Sequence, residues 1–455
     1  MFLKDIIRTW KNPIQFDSNF IIDKKDILKI LEAGRWAPSA ENQQVWRFLA
    51  IDDKIKKGDL IHSVEKQDPR LKAKTPDIKK PILNNRFVFS TDNFDAESDK
   101  YKDLISETSK DDLNCAKTAS SFIIGTHSLK YAGKSFGWTD IGAAIANMIL
   151  MTENLGFKAR WIRNFNRETV RENLQIPKSL VIDALLAIGK SVKINESCEV
   201  ENKNYEEFFF HNKWGNTIVK SDFESGVLDY KDYDVELVDP IVDRRSVRKY
   251  VENKEIPRGI IYELIKAGMM IPLVINKPYI KIILIDNKEI LNRIAQHAKL
   301  VIQKQPHVQQ VPLIIAITFD CTNNSPGFYA EYDTGAIIQS IILRAHSLGI
   351  GSCWIGAFSR KHVRKILNIE ENWHLPSLAI LGYPNKYPKP TPRVNLGKIG
   401  FYNEWKSGIE KRHRSIIPNY HIPSIAFRKI KKTRVKTVLR KRRVGVLIDI
   451  PGFES

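Results

Sequence analysis

The chain has 455 residues, of which 43% are hydrophobic and 27% charged, and its formal net charge is +20. This length predicts at least two domains, and the composition excludes a fibrous protein and a chain that is disordered throughout. The N-terminus lacks the apolar core of a secretion signal and the longest apolar runs are too short to cross a bilayer, so we expect a cytoplasmic protein.

The cysteines and histidines predict neither a disulfide framework nor a metal site. The four cysteines lie far apart and form no CxxC pair. The histidines His127, His297, His307 and His346 lack the spacing of metal ligands.

The first 190 residues have the pattern of a mixed α and β domain. Phe122–Gly125 predicts a buried strand, and a helical pattern that begins at Thr139 ends at Gly156, a residue type preferred at helix C-termini. A strand, a helix at Arg167–Leu174 and another strand at Ile182–Ile188 follow. Residues 54–114, rich in Lys, Asp, Ser and Asn, predict a surface insertion; the alternative is a lid over a site.

The same elements recur after a polar and aromatic segment, 191–240, which predicts a linker or arm. They are a strand at Pro312–Thr318, a helix that ends at Gly349, a helix at Arg360–Leu367 and a strand at Leu378–Leu381. Because helices and short strands do not alternate strictly, we predict an α+β fold.

A repeat in the sequence accounts for this recurrence. TDIGAAIANMILMTENLGFKARWIRNF from Thr139 aligns with YDTGAIIQSIILRAHSLGIGSCWIGAF from Tyr332, at a constant offset of 193 residues. Upstream, residues 31–44 align with residues 265–278 at an offset of 234. Such a long register indicates duplication, and we predict two domains at 1–190 and 241–400 with an arm and basic tail at 401–455.

The segment RRSVRKY, Arg244–Tyr250, opens the second copy. Three guanidiniums and a hydroxyl within five residues suit a phosphate monoester, although a solvated surface is the alternative for such a cluster. GIGSCW at 349–354 lacks GxGxxG and follows a helix, so the sequence predicts no separate dinucleotide-binding domain.

Five motifs together resemble the nitroreductase superfamily of flavin enzymes. They are RRSVRKY, APSAENQQVWRF at Ala37–Phe48, the D-x-G helix that ends in Leu-Gly, CWIGAF at Cys353–Phe358, and GYP…PTPR at Gly382–Arg393. The resemblance implies two tandem nitroreductase-like domains, mostly antiparallel sheets flanked by helices, that form an intramolecular pseudo-dimer with FMN at the interface. It implies flavin-binding roles for Arg244, Arg245, Ser246, Arg248, Ile355, Gly356, Ala357 and Arg393 of the second copy, and for Pro38, Ser39, Ala40 and Asn42 of the first.

Each copy has lost motifs that the other keeps. The first copy has WKNPI, Trp10–Ile14, in place of RRSVR, and Arg163 at the position of Gly356. The second copy has Leu273 at the position of Ser39. We therefore predict a single-chain pseudo-dimer, expected as a monomer, with one FMN, since the loss of charge-assisted donors at about 1.5–3 kcal/mol each abolishes flavin binding.

The resemblance implies an FMN-dependent oxidoreductase that transfers two electrons in a ping-pong cycle from NAD(P)H to a small organic acceptor. It identifies neither the acceptor nor a catalytic side chain. The alternatives are a flavin-sequestering or regulatory binding protein without turnover, a flavin dehydrogenase acting on a peptide or natural-product intermediate, and an inactive relic of the family.

The tail carries a concentrated positive charge. Residues 428–443 hold ten Lys and Arg. This run predicts a solvated tail, with docking to anionic lipid or nucleic acid as the alternatives.

Overall fold

The computed structural model describes residues 1–67, 99–128, 136–194, 205–219, 221–224, 234–270, 279–300, 303–321 and 329–408. The middle of the predicted insertion, residues 271–278 with Leu273 and Pro278, and the basic tail 428–443 lie outside the described residues.

The first half consists of helices and strands in mixed order. They are α1 (Leu3–Thr9), β1 (Pro13–Phe16), α2 (Lys24–Arg35), β2 (Trp46–Ile51), α3 (Lys54–Lys66), α4 (Asp99–Thr118), β3 (Ser121–Ser128), α5 (Gly137–Asn154), β4 (Lys158–Ile162), α6 (Arg167–Asn173), β5 (Leu180–Gly189) and β6 (Ser191–Ile194).

The arm and the second half follow. Their elements are α7 (Tyr205–Phe208), β7 (Phe209–His211), α8 (Ser221–Glu224), α9 (Val238–Asp243), α10 (Arg258–Met269), β8 (Ile280–Ile285), α11 (Lys288–His297), β9 (Lys299–Leu300), β10 (Gln303–Lys304), β11 (Leu313–Asp320), α12 (Tyr329–Ser347), β12 (Gly351–Ile355), α13 (Arg360–Leu367), β13 (Trp373–Gly382), α14 (Leu396–Ile399), β14 (Gly400–Tyr402) and β15 (Glu404–Gly408).

Two larger sheets, in addition to the two-stranded pairs β1-β6 and β10-β9, organise these elements and confirm the predicted α+β fold. One has the order β15-β14-β2-β3-β5-β4 and the other the order β12-β13-β11-β8-β7. Their neighbouring strands are antiparallel except for β14 with β2 and β7 with β8. The predicted helix ends are also confirmed, since Gly156 and Gly349 have left-handed φ angles of 83° and 75°. None of the helices in the described ranges is long and apolar enough to span a membrane.

Each of the two parallel pairs is made by a segment that follows one half and joins the sheet of the other. The arm residues Phe209–His211 pair with β8, and Gly400–Tyr402 pair with β2. After each strand an asparagine with a left-handed φ, Asn212 or Asn403, accepts two backbone N–H groups at 3.0–3.1 Å through its side-chain oxygen. The exchanged strands tie each half to the other.

Helices α5 and α12 cross with their backbones in close approach. A Cβ on Gly142 would lie 2.1 Å from Tyr332 O, and a Cβ on Gly335 would lie 2.0 Å from Thr139 O. Both pairs are related by the 193-residue offset, so the crossing has approximate two-fold symmetry. Only glycine permits this approach, because any side chain would meet backbone.

The extra residues of the first half begin later than expected. Helix α3 begins 234 residues before α11, which is the offset of the repeat, and its Leu60 and Val64 belong to the first hydrophobic core. Helix α3 is therefore the counterpart of α11. The sequence predicts that the extra residues begin at about residue 54, whereas Lys54–Lys66 form a helix that packs on the core. Its composition is polar because most of its side chains lie on the solvent face.

Candidate functional site

The arginine-rich segment lies alongside the start of β12. Ser246 forms a parallel bridge with Ser352, and the Val247 N–H donates to Ser352 O at 2.8 Å. Strand β12 then carries the chain to Gly356, about 13 Å from Ser352 at 3.3 Å per strand residue. Arg244–Arg248 and Gly356 therefore lie toward opposite ends of one buried strand.

Three arginines, Arg244, Arg245 and Arg393, form what we call the arginine cluster. Arg244 and Arg245 are each 6% exposed. Burial and the charge of Arg245 lower the pKa of Arg244 to about 10. Burial and the charges of Arg244, Arg245 and Arg35 lower the pKa of Arg393 to about 9. In the described part of the chain no carboxylate forms an ion pair with Arg244 or Arg393, so an anion would relieve their mutual repulsion.

His346, which sequence reasoning treated as an ordinary histidine, is a neighbour of this cluster. Burial, followed by the charges of Arg244 and Arg245, lowers its pKa to about 4. Its ring packs edge-on against Tyr387 with centroids 5.7 Å apart. His346 is therefore neutral at pH 7 and adds no further positive charge.

The loop from Pro38 to Asn42 brings the first half to the arginine cluster. Asn42, whose φ is +59°, accepts a hydrogen bond from Arg393 Nη1 at 2.6 Å and donates to Pro392 O at 3.1 Å. Ser39 Oγ accepts the Gln44 N–H at 2.9 Å. The structure thus places Asn42 and Arg393, which come from different halves, in direct contact.

Asp140, near the start of α5, forms a hydrogen bond with the backbone of the same loop. Its two carboxylate oxygens lie 3.1 and 3.2 Å from the Ala40 nitrogen, whose N–H donates to them. Burial raises the pKa of Asp140 to about 8, and the hydrogen bond from Ala40 opposes this shift. A carboxyl group that pairs with no cation among the described residues thus supports the predicted binding loop.

Gly356 lies against an aromatic ring of the first half. A Cβ on Gly356 would lie 2.6 Å from two ring atoms of Phe136. Ile355 is a buried residue at the end of β12, and Ala357 O accepts a hydrogen bond from Gln305 Nε2 at 2.7 Å. Phe136 lies outside every motif, so sequence reasoning gave no reason to select it.

Arg248 stands apart from the arginine cluster. It is exposed, its Nη1 lies 3.5 Å from Ser246 O, and it is not among the charges that lower the pKa of Arg393. The structure therefore brings together two of the three arginines of RRSVR with Arg393.

We call the interface with the arginine cluster and Gly356 the first interface, and the opposite one the second interface. The second interface has different side chains at the equivalent positions. Arg163, at the position of Gly356, is 5% exposed and forms an ion pair with Asp333 of the second half at 2.5 Å. Its guanidinium lies 3.3 Å from the ring centroid of Trp161, and its carbonyl accepts a hydrogen bond from Tyr329 at 2.5 Å. Tyr279 also donates to Asp333. A guanidinium thus fills the space that Gly356 leaves at the first interface.

The first half also lacks an arginine cluster in the segment that aligns with RRSVR. Trp10, at the position of Arg244, is 5% exposed. Next to it, Pro13 O accepts a hydrogen bond from Arg160 Nη1 at 3.2 Å, and Arg160 Nε donates to Asp112 at 2.7 Å. The arginine of this region is thus paired with a carboxylate inside the protein.

Comparison with known proteins relates both halves to one family. A model of the nitroreductase family matches residues 15–190 and 241–383. A predicted NADH dehydrogenase/NAD(P)H nitroreductase of Methanothermobacter thermautotrophicus is 30% identical over 166 residues, which are 35% of this chain and 84% of that protein. The NADPH-flavin oxidoreductase of Vibrio harveyi is 23% identical over 183 residues, 37% of this chain and 74% of that protein. The solved structure of a predicted nitroreductase of Anabaena variabilis has a TM-score of 0.46 at 14% identity and covers 60% of this chain and 71% of that one.

Proposed function

Because the chain belongs to the nitroreductase family, we propose that it is an oxidoreductase that binds one FMN between its halves and uses NAD(P)H to reduce a small organic acceptor. The names of two relatives support this proposal, since one is an NAD(P)H nitroreductase and the other an NADPH-flavin oxidoreductase.

The arginine cluster is the observation on which the proposal rests. It combines Arg244 and Arg245 with Arg393, whose buried Nε has no hydrogen-bond partner among the described residues. A phosphate monoester suits this cluster, because its oxygens accept several charge-assisted hydrogen bonds and its charge offsets the repulsion among the guanidiniums. Arg244, Arg245, Arg393 and Asn42 would therefore hold the phosphate end of FMN.

The remaining side chains of the interface would orient the ring. Gly356 has no side chain to obstruct a planar group, and Phe136 of the first half offers an aromatic surface beside it. Bound FMN would supply the redox chemistry, which is the transfer of two electrons first from NAD(P)H and then to the acceptor. Asp140 and the Ala40 N–H would keep the Ser39–Asn42 loop in place during both transfers.

The opposite interface supports a stoichiometry of one. In its described residues Trp10 and the Arg163–Asp333 ion pair stand where the first interface has Arg244 and Gly356. An anionic ligand would meet a buried aromatic residue there, and the arginines nearby, Arg163 and Arg160, are already paired with the carboxylates of Asp333 and Asp112.

The first experiment is to purify the chain, record its visible spectrum and quantify the flavin that denaturation releases. We expect one FMN per chain and bleaching of the flavin absorbance by NADH or NADPH under anaerobic conditions, reversed by a quinone or nitroaromatic. Two FMN per chain would contradict the single site. No FMN after reconstitution would contradict the function, and bound FMN that neither donor reduces would favour a flavin-binding protein without turnover.

A further inference from the structure

Gln44 holds the main chain on both sides of Arg393. Its Nε2 donates to Pro392 O at 3.2 Å, and its Oε1 accepts the Val394 N–H at 2.8 Å. The same Nε2 lies 3.4 Å from Asn42 O, and the side chain is 5% exposed. A single amide thus pairs with residues 392 and 394 as an adjacent β-strand would.

The backbone around Gln44 is fixed in an uncommon conformation. Glu41, Asn42 and Gln44 have φ angles of 53°, 59° and 50°. Left-handed backbone is uncommon in residues other than glycine, and it persists where surrounding contacts determine it. Here the Gln44 N–H donates to Ser39 Oγ at 2.9 Å, so the loop that aims the Gln44 amide is itself held in place.

Arg393 needs such support because its charged neighbours repel it. Arg244, Arg245 and Arg35 act on it with the same sign of charge. Arg393 donates hydrogen bonds to Asn42 Oδ1 at 2.6 Å and to Trp36 O at 3.1 Å, both in the first half. The residues that precede it, 385–391, are exposed to solvent. Without a fixed main chain, the side chain would move toward solvent, where repulsion is weaker.

We propose that Gln44 of the first half is a positioning residue that holds Arg393 of the second half at the phosphate end of the flavin site. This inference rests on the proposed function. The second copy has Pro278 at the position of Gln44, and proline has no side-chain amide. The arrangement therefore belongs to one interface, which is the interface that carries the arginine cluster.

Two flavins that differ only in the phosphate test this role. Gln44→Met keeps the approximate size of the side chain and removes its hydrogen bonds to residues 392 and 394. We expect it to weaken FMN binding about tenfold and riboflavin binding less than about twofold, measured by quenching of flavin fluorescence in the full chain. Gln43→Met, a change at the exposed neighbouring position, is the matched control and should leave both affinities unchanged.

A double-mutant cycle separates positioning from general loop stability. In an Arg393→Ala background, Gln44→Met should have almost no further effect on FMN binding, because the positioned guanidinium is already absent. Equal losses for FMN and riboflavin, or additive losses in the double variant, would overturn the proposal and leave Gln44 a structural residue.

Two further results keep this test separate from folding and from the proposed function. If Gln44→Met lowers the melting temperature strongly, Gln44→Asn, which keeps an amide one methylene shorter, should still lower the ratio of FMN to riboflavin affinity. Failure of the wild-type chain to bind either flavin would contradict the proposed function. Wild-type FMN binding with an unchanged affinity ratio in the Gln44 variants would contradict only the role of Gln44.

Discussion

Asp140 and Asp333 occupy equivalent positions near the starts of α5 and α12, yet their surroundings are opposite. Asp333 pairs with Arg163 of the other half at 2.5 Å and accepts a hydrogen bond from Tyr279. Asp140 accepts the Ala40 N–H, and no cation pairs with it among the described residues. The difference follows from one repeat position, which is Arg163 in the first copy and Gly356 in the second.

This comparison shows how a duplicated interface acquired two roles. At one interface the protein supplies its own cation, and the buried ion pair joins the halves. At the other interface, among the described residues, no cation pairs with the Asp140 carboxyl group and no carboxylate forms an ion pair with Arg244 or Arg393, an arrangement that suits a ligand with its own charge. Under the proposed function, the interface with Asp140 and the arginine cluster binds the ligand, and the interface with the Arg163–Asp333 pair holds the halves together.

The strongest test converts the first interface into the second. Gly356→Arg gives the first interface an arginine at the position that Arg163 occupies in the second. The new side chain must displace the Phe136 ring, because its Cβ would lie only 2.6 Å from two ring atoms. We expect flavin content to fall from one FMN per chain to none detectable, while the folded chain is retained because Asp140 gains a possible partner. Near-normal FMN content in a folded Gly356→Arg chain would show that Gly356 does not border the flavin.

The reverse change weakens the second interface. Arg163→Gly leaves Asp333 buried beside Tyr279 without its cation, and breaking one side of a buried pair typically costs about 3–5 kcal/mol of unfolding free energy. Urea unfolding monitored by circular dichroism measures this loss. The double variant Arg163→Met/Asp333→Asn should recover much of it, and the same loss in single and double variants would mean that the ion pair itself is not the cause.

A smaller effect is expected from single substitutions in RRSVR of the second half, and almost none from substitutions in the aligned WKNPI of the first half. Arg244→Ala removes charge-assisted hydrogen bonds to phosphate and should weaken FMN binding by about 1.5–3 kcal/mol. Lys11→Ala, in the aligned segment of the first half, should leave FMN affinity close to that of the wild type. Isothermal titration of flavin-free protein with FMN compares them, and equal losses would contradict a single site.

Sequence alone predicts the repeat, the fold class and the asymmetry of the interfaces. These features can be predicted because they depend on which residues stand 193 positions apart in the two copies. Gly142 and Gly335, or Gly356 and Arg163, can be compared directly in the sequence. The two-fold crossing then follows from one physical requirement, that only glycine allows the helix backbones to approach.

The contacts that complete the site could not be predicted, because they join residues far apart in the chain. The Gln44 side chain forms hydrogen bonds with the backbone on both sides of Arg393, and the Phe136 ring packs against Gly356 across the interface. Neither contact leaves a local pattern. The sequence of helix α3 predicts an insertion for a related reason: it is polar, and its two buried apolar residues, Leu60 and Val64, give only a weak helical pattern.

The most subtle consequence of the comparison is a dependence of stability on pH at Asp140. Burial raises its folded-state pKa from 3.8 to about 8. Below pH 3.8 the group is protonated in both the folded and unfolded states and contributes nothing to stability. As the pH rises to about 8, the unfolded state ionises first, so the free energy of unfolding falls.

Asp140→Asn removes this titration while keeping an oxygen that accepts the Ala40 N–H. We expect the variant to be more stable than the wild type at pH 8 by at least about 1 kcal/mol, the equivalent of one pKa unit, with the difference decreasing toward pH 4 and vanishing well below pH 3.8. Urea unfolding across this range measures it. Asp333→Asn is the matched control: it leaves Arg163 without its anion and should destabilise the protein at both pH 5 and pH 8. A gain from Asp140→Asn that is the same at pH 4 and pH 8 would mean that Asp140 does not titrate in this range, and that the two carboxyl groups differ less in their surroundings than their contacts indicate.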